Sequence, residues 1–219
     1  MTKRGTTGGH RKILQDLVVR LAKANIAASA KNLGLDLAPA GEALVPFLGK
    51  MFLVSNKGVR RQDGKAFQDA AGSVLIHYIL SGSRSRPAGE FVTFKDLAGP
   101  LFSRGSYSSS ALELPVIKRF QGRVPELLTM ASIYGGRQGG EAGSGAVSLI
   151  FNLLPHILLQ LIFYDRDDEF PARATLLFDR NATQFVDFEV LAVLVTLFVN
   201  DLIKSRYCKG GNRQTKPDK

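Results

Sequence analysis

The chain has 219 residues, 45% of them apolar, and a formal net charge of +10. That is enough apolar material for one ordinary core with elaborated ends, and the lone cysteine, Cys208, excludes an internal disulfide or a cysteine-only metal cage. Located along the chain, the charge ceases to describe the whole surface: residues 1–31 carry +6, residues 204–219 carry +5, and the middle carries −1. The termini, residues 1–9 and 205–219, are expected to be disordered basic tails, so contact with a polyanion such as nucleic acid is open to the tails only. No apolar run follows the first charges as it would in a secretory signal, and the expected compartment is the cytoplasm.

In chain order, the spacing of Ile13, Leu14, Leu17, Val18 and Leu21 predicts one amphipathic helix over residues 10–34. After Pro39, two short extended runs lie at residues 43–48 and 51–55, closed by the turn signal Asn56, Lys57, Gly58. A helix over 65–80 follows and contains His77, read as a helix-face or core histidine. "EFVTF", residues 90–94, alternates as a strand. The serine run 103–110 has no nucleophile-elbow motif and reads as linker, while Pro115 and Pro125 are each placed to open a short helix at its first turn. Residues 135–145 hold six glycines in eleven positions without the lysine or strand–turn–helix context of a phosphate loop, which predicts a flexible connector.

Residues 146–164, "AVSLIFNLLPHILLQLIFY", are nineteen uncharged positions, near the length of a bilayer span. Asn152, Pro155, His156 and Gln160 interrupt the run, and its second part alternates at period two. Two antiparallel strands joined near Leu154 and Pro155 therefore replace the span. His156, Gln160 and Tyr164 share one face of the second strand and are the candidates for holding a ligand. Next comes "FYDRDDEFPARATLLFDRN", with a returning strand over 173–178. Asp165, Asp167, Asp168 and Glu169 read as a solvated turn, since burial would demand a cation or several donors for each. The sharper alternative is a metal site formed with Asp179. A calcium loop starting at Asp165 fails where it needs glycine and the bidentate glutamate, because Phe170 and Leu176 stand there. Period two places Phe170, Ala172, Ala174, Leu176 and Phe178 on one core-facing side, and Asp179 is expected to fix the following turn through a backbone hydrogen bond. Asp187 and Glu189 suit the start of a buried helix carrying the apolar run 190–199. The fold class expected is α+β: a mainly antiparallel sheet with flanking helices, in a single domain over residues 35–204.

"LPHILLQLIFYDRDDEFPARATLLFDRNA" and "FEVLAVLVTLFVNDLI", with "VLIHYILSGS" and "EFVTFKDLAG" upstream, resemble the family catalogued as domain of unknown function 3786 over roughly residues 35–203. The most specific match is Asp168, Glu169, Phe170 and Pro171 followed by Leu177, Phe178 and Asp179. The resemblance implies a bacterial or archaeal protein, mostly of anaerobes, and brings no activity with it. Some relatives carry a cysteine-rich iron–sulfur segment; Cys208 alone cannot hold a cluster, so no iron–sulfur cluster is expected in this chain.

His10, His77, His156 and Cys208 show no dyad spacing, and no catalytic set or cofactor is identified. The expected function is a non-catalytic cytosolic accessory domain of anaerobic metabolism that binds a small-molecule ligand or a partner protein in a cleft beside the sheet. The alternatives are a divalent-metal enzyme using the acidic hairpin and a polyanion binder using the basic tails.

Overall fold

The computed structural model describes residues 7–63, 69–98, 109–140, 143 and 145–204; the tails beyond residues 7 and 204 lie outside that set. The segment expected to be one helix is two, α1 (Thr7–Ala22) and α2 (Ile26–Leu33). Asparagine makes the break. Asn25 Oδ1 accepts the Ala28 N–H, capping α2, and Asn56 Nδ2 donates to the carbonyls of Leu21 and Ala24 just past the end of α1. Leu17 and Leu21 are buried, whereas Val18 is 44% exposed, so the inward stripe is narrower than the sequence suggests.

Strands β1 (Ala43–Phe47), β2 (Lys50–Ser55) and β3 (Gly58–Arg61) form an antiparallel sheet. The third strand was not expected, because its Arg60 and Arg61 carry no apolar signal; Arg60 is instead held by the Glu42 carboxylate. Helix α3 (Ala70–Ser81) begins where Asp69 Oδ1 accepts the N–H groups of Ala71 and Gly72. The helix is apolar on nearly every side and packs against α1, α2 and the helix α7 (Phe188–Lys204), as a central helix must.

The larger sheet has five antiparallel strands in the order β4 (Phe91–Thr93), β8 (Arg173–Asp179), β7 (Ile157–Tyr164), β6 (Ala146–Leu154), β5 (Arg137–Gln138). Its register aligns Phe151, Leu159 and Phe178 in one row and Leu149, Leu161 and Leu176 in the next, all buried. Leu158, Gln160, Ile162 and Tyr164 alternate with them and are half-buried. Helix α7 (Phe188–Lys204) sets Phe198 against Phe151, ring centroids 4.8 Å apart. Phe94 of the short helix α4 (Phe94–Ala98) bridges Phe178 and Phe188 at 5.1 and 4.4 Å. The fold is thus α+β with antiparallel sheets.

Three local expectations are corrected. The glycine-rich connector contains β5, because its backbone lies too close to β6 for side chains: a Cβ on Gly136 would stand 2.6 Å from Phe151, and one on Gly139 would stand 2.2 Å from Ser148 Oγ. Pro115 does not open a helix but sits inside α5 (Ser109–Phe120), while Pro125 does lie in the first turn of α6 (Val124–Ile133). Packing carries α5 through the missing donor, since Val116 and Phe120 are fully buried; Glu113 also accepts the Leu176 N–H on the part of β8 that three-residue β4 leaves unpaired. Finally, Phe170 does not join the core face. β8 begins only at Arg173, after Pro171, so the alternation that buries Ala174, Leu176 and Phe178 does not reach it, and Phe170 is 66% exposed.

The contrast between the two phenylalanines is testable by urea unfolding. Phe178→Ala is expected to cost about 3–5 kcal/mol, and Phe170→Ala to change stability by less than about 0.5 kcal/mol.

Candidate functional site

The acidic residues between β7 and β8 divide by what their oxygens do. Asp165 Oδ1 accepts the N–H of Gly122, 2.7 Å away beyond the end of α5, and its neighbour's, that of Arg166. Asp167 Oδ1 accepts from Glu169 and Phe170, and its own N–H donates to the Phe170 carbonyl, which closes a tight side-chain-supported turn. Asp168 and Glu169 point into water. Asp179 stands at the opposite end of β8, about 20 Å along the strand at about 3.3 Å per residue. It is fully buried and accepts the N–H groups of Ala88, Gly89 and Asn181 at 2.7–2.9 Å. The five candidate metal ligands are therefore not gathered, and among the described residues no group of three or more His, Cys, Asp or Glu side chains could hold a metal ion.

With Asp165 and Asp167 turned to the backbone, the chain leaves a hollow beside them. It measures about 700 Å³, opens to solvent, and is lined by Gly145, Tyr164, Phe170, Pro171, Ala172 and Arg173 together with the two aspartates. Its wall is mainly apolar. The Arg173 guanidinium lies 5.2 Å above the Tyr164 ring, fixing both side chains. The glycine-rich segment borders the site, since a Cβ on Gly143 would be 3.5 Å from the Tyr164 hydroxyl. An exposed phenylalanine beside an apolar hollow is the informative departure from ordinary burial. Sequence reasoning missed it because the period-two pattern was carried two residues too far through Pro171.

The three ligand candidates on β7 separate. Tyr164 lines the hollow. Gln160 donates to Ser148 Oγ in the middle of the half-buried face. His156 lies in the β6–β7 turn, where Nε2 donates to the Leu33 carbonyl at 2.9 Å and the ring stacks on Phe185 at 5.4 Å. Burial and the Arg86 charge lower the His156 pKa. Tyr78, fully buried alongside Phe185, lies near the His156 backbone amide without reaching hydrogen-bond geometry, and burial pushes its phenol up. His156 is a packed structural histidine in this arrangement. His77 on α3 is likewise lowered, chiefly by burial, with Asp187 raising it and Arg20 lowering it.

Among protein families, the one described as Domain of unknown function (DUF3786) matches residues 25–201. No curated protein and no solved structure matches the chain. No described helix is long and apolar enough to cross a membrane.

Two outcomes follow from this geometry. Asp179→Ala leaves three backbone donors without their acceptor and is expected to cost at least about 3 kcal/mol. Asp167→Asn keeps the accepting oxygen and is expected to cost less than about 0.5 kcal/mol, both read from urea midpoints. Because the folded pKa values of His77 and His156 lie below the unfolded one, the unfolded chain binds more protons as pH falls through about 6.5. Folding stability should then be complete above that value and decline below it, by at most about 1.4 kcal/mol per pH unit for each histidine. His156→Gln should flatten the decline measured between pH 7.5 and 5.5.

Proposed function

The chain belongs to the family Domain of unknown function (DUF3786), whose description assigns no activity, and on that premise we propose that it is a non-catalytic binding domain. Its site is the hollow at the acidic end of the β7–β8 hairpin, and its occupant is a segment of a partner protein with an apolar side chain flanked by basic ones. The observation that carries this reading is Phe170, 66% exposed on a structured turn rather than on a loose loop.

Apolar area gives such a site its affinity. Phe170, Pro171 and Tyr164 all line the hollow, and covering a side chain of phenylalanine size is worth about 1.5–3 kcal/mol. Asp168 and Glu169 project from the same turn as solvated charges, so they complement basic flanking residues and speed their approach. A hollow that opens to solvent suits a chain segment laid across it. The candidate acids act here as builders of the turn: Asp165 fastens it to the Gly122 N–H, and Asp167 holds Phe170 through that residue's own N–H. Residence in the cytoplasm and a place in anaerobic metabolism belong to the same reading.

A fluorescent peptide in which leucine and phenylalanine alternate with lysine should bind the full chain, with affinity that falls as salt is raised. Phe170→Ser should weaken it at least tenfold while the urea midpoint is unchanged. Equal binding of the peptide with glutamate in place of lysine, or no effect of Phe170→Ser, would refute the site.

A further inference from the structure

A second concave region shares no lining residue with the hairpin hollow and differs from it in chemistry. It measures about 170 Å³ and opens where the last turn of α1, the outer face of α3 and the segment leading into α7 meet. Arg20, His77, Ser81, Thr183, Gln184 and Asp187 line it, and most of its surface is polar. Three separate stretches of sequence supply these groups. The grouping is therefore invisible in the sequence and exists only in the fold.

Opposite charges share this hollow without neutralising one another. The ion pairs among the described residues join Glu42, Asp63, Glu90 and Glu126 to arginines, and neither Arg20 nor Asp187 takes part in them. His77 registers both charges, Asp187 favouring its protonated form and Arg20 opposing it, with burial keeping the ring neutral at neutral pH. A neutral imidazole in the same hollow as a guanidinium and a carboxylate can donate from one nitrogen and accept at the other. Ser81 is already committed, its hydroxyl donating to the Tyr78 carbonyl at 2.7 Å, so the free polar groups are those of Arg20, His77, Thr183, Gln184 and Asp187.

We propose that this hollow binds a small zwitterion of the α-amino acid class, with the ligand carboxylate on Arg20 and its ammonium group on Asp187. Charge-assisted hydrogen bonds at both ends make the two-point contact specific, because a ligand with one charge leaves the opposite protein charge without a partner. The volume suits such a ligand. About 170 Å³ of concave space gives room for a small aliphatic amino acid. Leu80, half-buried at the edge of the hollow, supplies an apolar contact for the ligand's side chain.

The site is independent of the peptide-binding hollow, and its test uses the full chain with three ligands. Alanine, acetate and ethylamine are titrated while the backbone amide resonances of His77 and Gln184 are followed. Alanine is expected to bind at least tenfold more tightly than either half-ligand. Arg20→Gln, on an exposed position of α1, should bring alanine down to the level of ethylamine, and Asp187→Asn should bring it to the level of acetate. Circular dichroism identifies any variant that has lost α7, and the three-ligand comparison on the unaltered chain stands without the variants. Acetate binding as tightly as alanine would show a plain anion site and overturn the proposal. So would the absence of any shift with alanine at concentrations up to about 50 mM.

Discussion

A fully buried carboxylate, Asp179, organises the chain around it. Burying such a group without partners is costly, and here three backbone N–H groups supply them: Ala88, Gly89 and Asn181. Those donors come from opposite sides, two from the loop that leaves α3 and one from the turn that leads to α7. The end of β8 is thereby joined to the approach of β4, with Phe91 paired opposite Asp179 and the Arg180 N–H donating to the Glu90 carbonyl. Asn181 adds a side-chain bond to the Arg86 carbonyl. Strand β4 has only three residues and would be marginal alone; pinned at Asp179, it delivers Phe94 directly to Phe178 and Phe188. The aromatic core between the five-stranded sheet and α7 depends on that delivery.

The two ends of β8 therefore have different physical duties. At Asp179 the carboxylate is internal and entirely occupied with backbone donors. Around residues 165–169 the carboxylates are external, and those with partners spend one oxygen on the turn itself. Asp165 fastens that turn to Gly122, and Arg119, which donates to the Ile203 carbonyl, also holds Glu126 and keeps its carboxyl below the ordinary range. The hairpin tip is thus anchored to the end of α5 and through it to α6 and α7. An exposed phenylalanine on an anchored tip presents a fixed surface, with little ordering entropy left to lose on binding.

Much of this arrangement could be read from the amino acids. The break at Leu154 and Pro155, the period-two alternation of β7 and the reversal at Asp165 gave the central meander within a residue or so, because each is a local signal. Asp179 as a turn-fixing group was also evident, although its distant donors Ala88 and Gly89 were not. The failures share a cause: they needed partners remote in sequence. Nothing near Asn25 announces that Asn56 will take the carbonyls at the end of α1, and Gly58–Arg61 has no apolar pattern to mark β3. Pro115 remains helical because α5 packs as a unit. Phe170 looked like a core residue on spacing alone, and only the start of β8 at Arg173 places it outside. The hollow of Arg20, His77 and Asp187 is the extreme case, since its residues span most of the chain.

The most direct measurement of the central claim is native-state hydrogen exchange of the amides that Asp179 accepts. If this carboxylate ties β8 to β4 and to the turn before α7, then Ala88, Gly89 and Asn181 exchange only with global unfolding. Their protection would then match that of Leu159 and Leu161 in β7, although all three amides lie outside regular secondary structure. Exchange of these amides at the rate of the Glu169 amide, with β7 still protected, would contradict the account and show that the Asp179 cluster opens independently of the core.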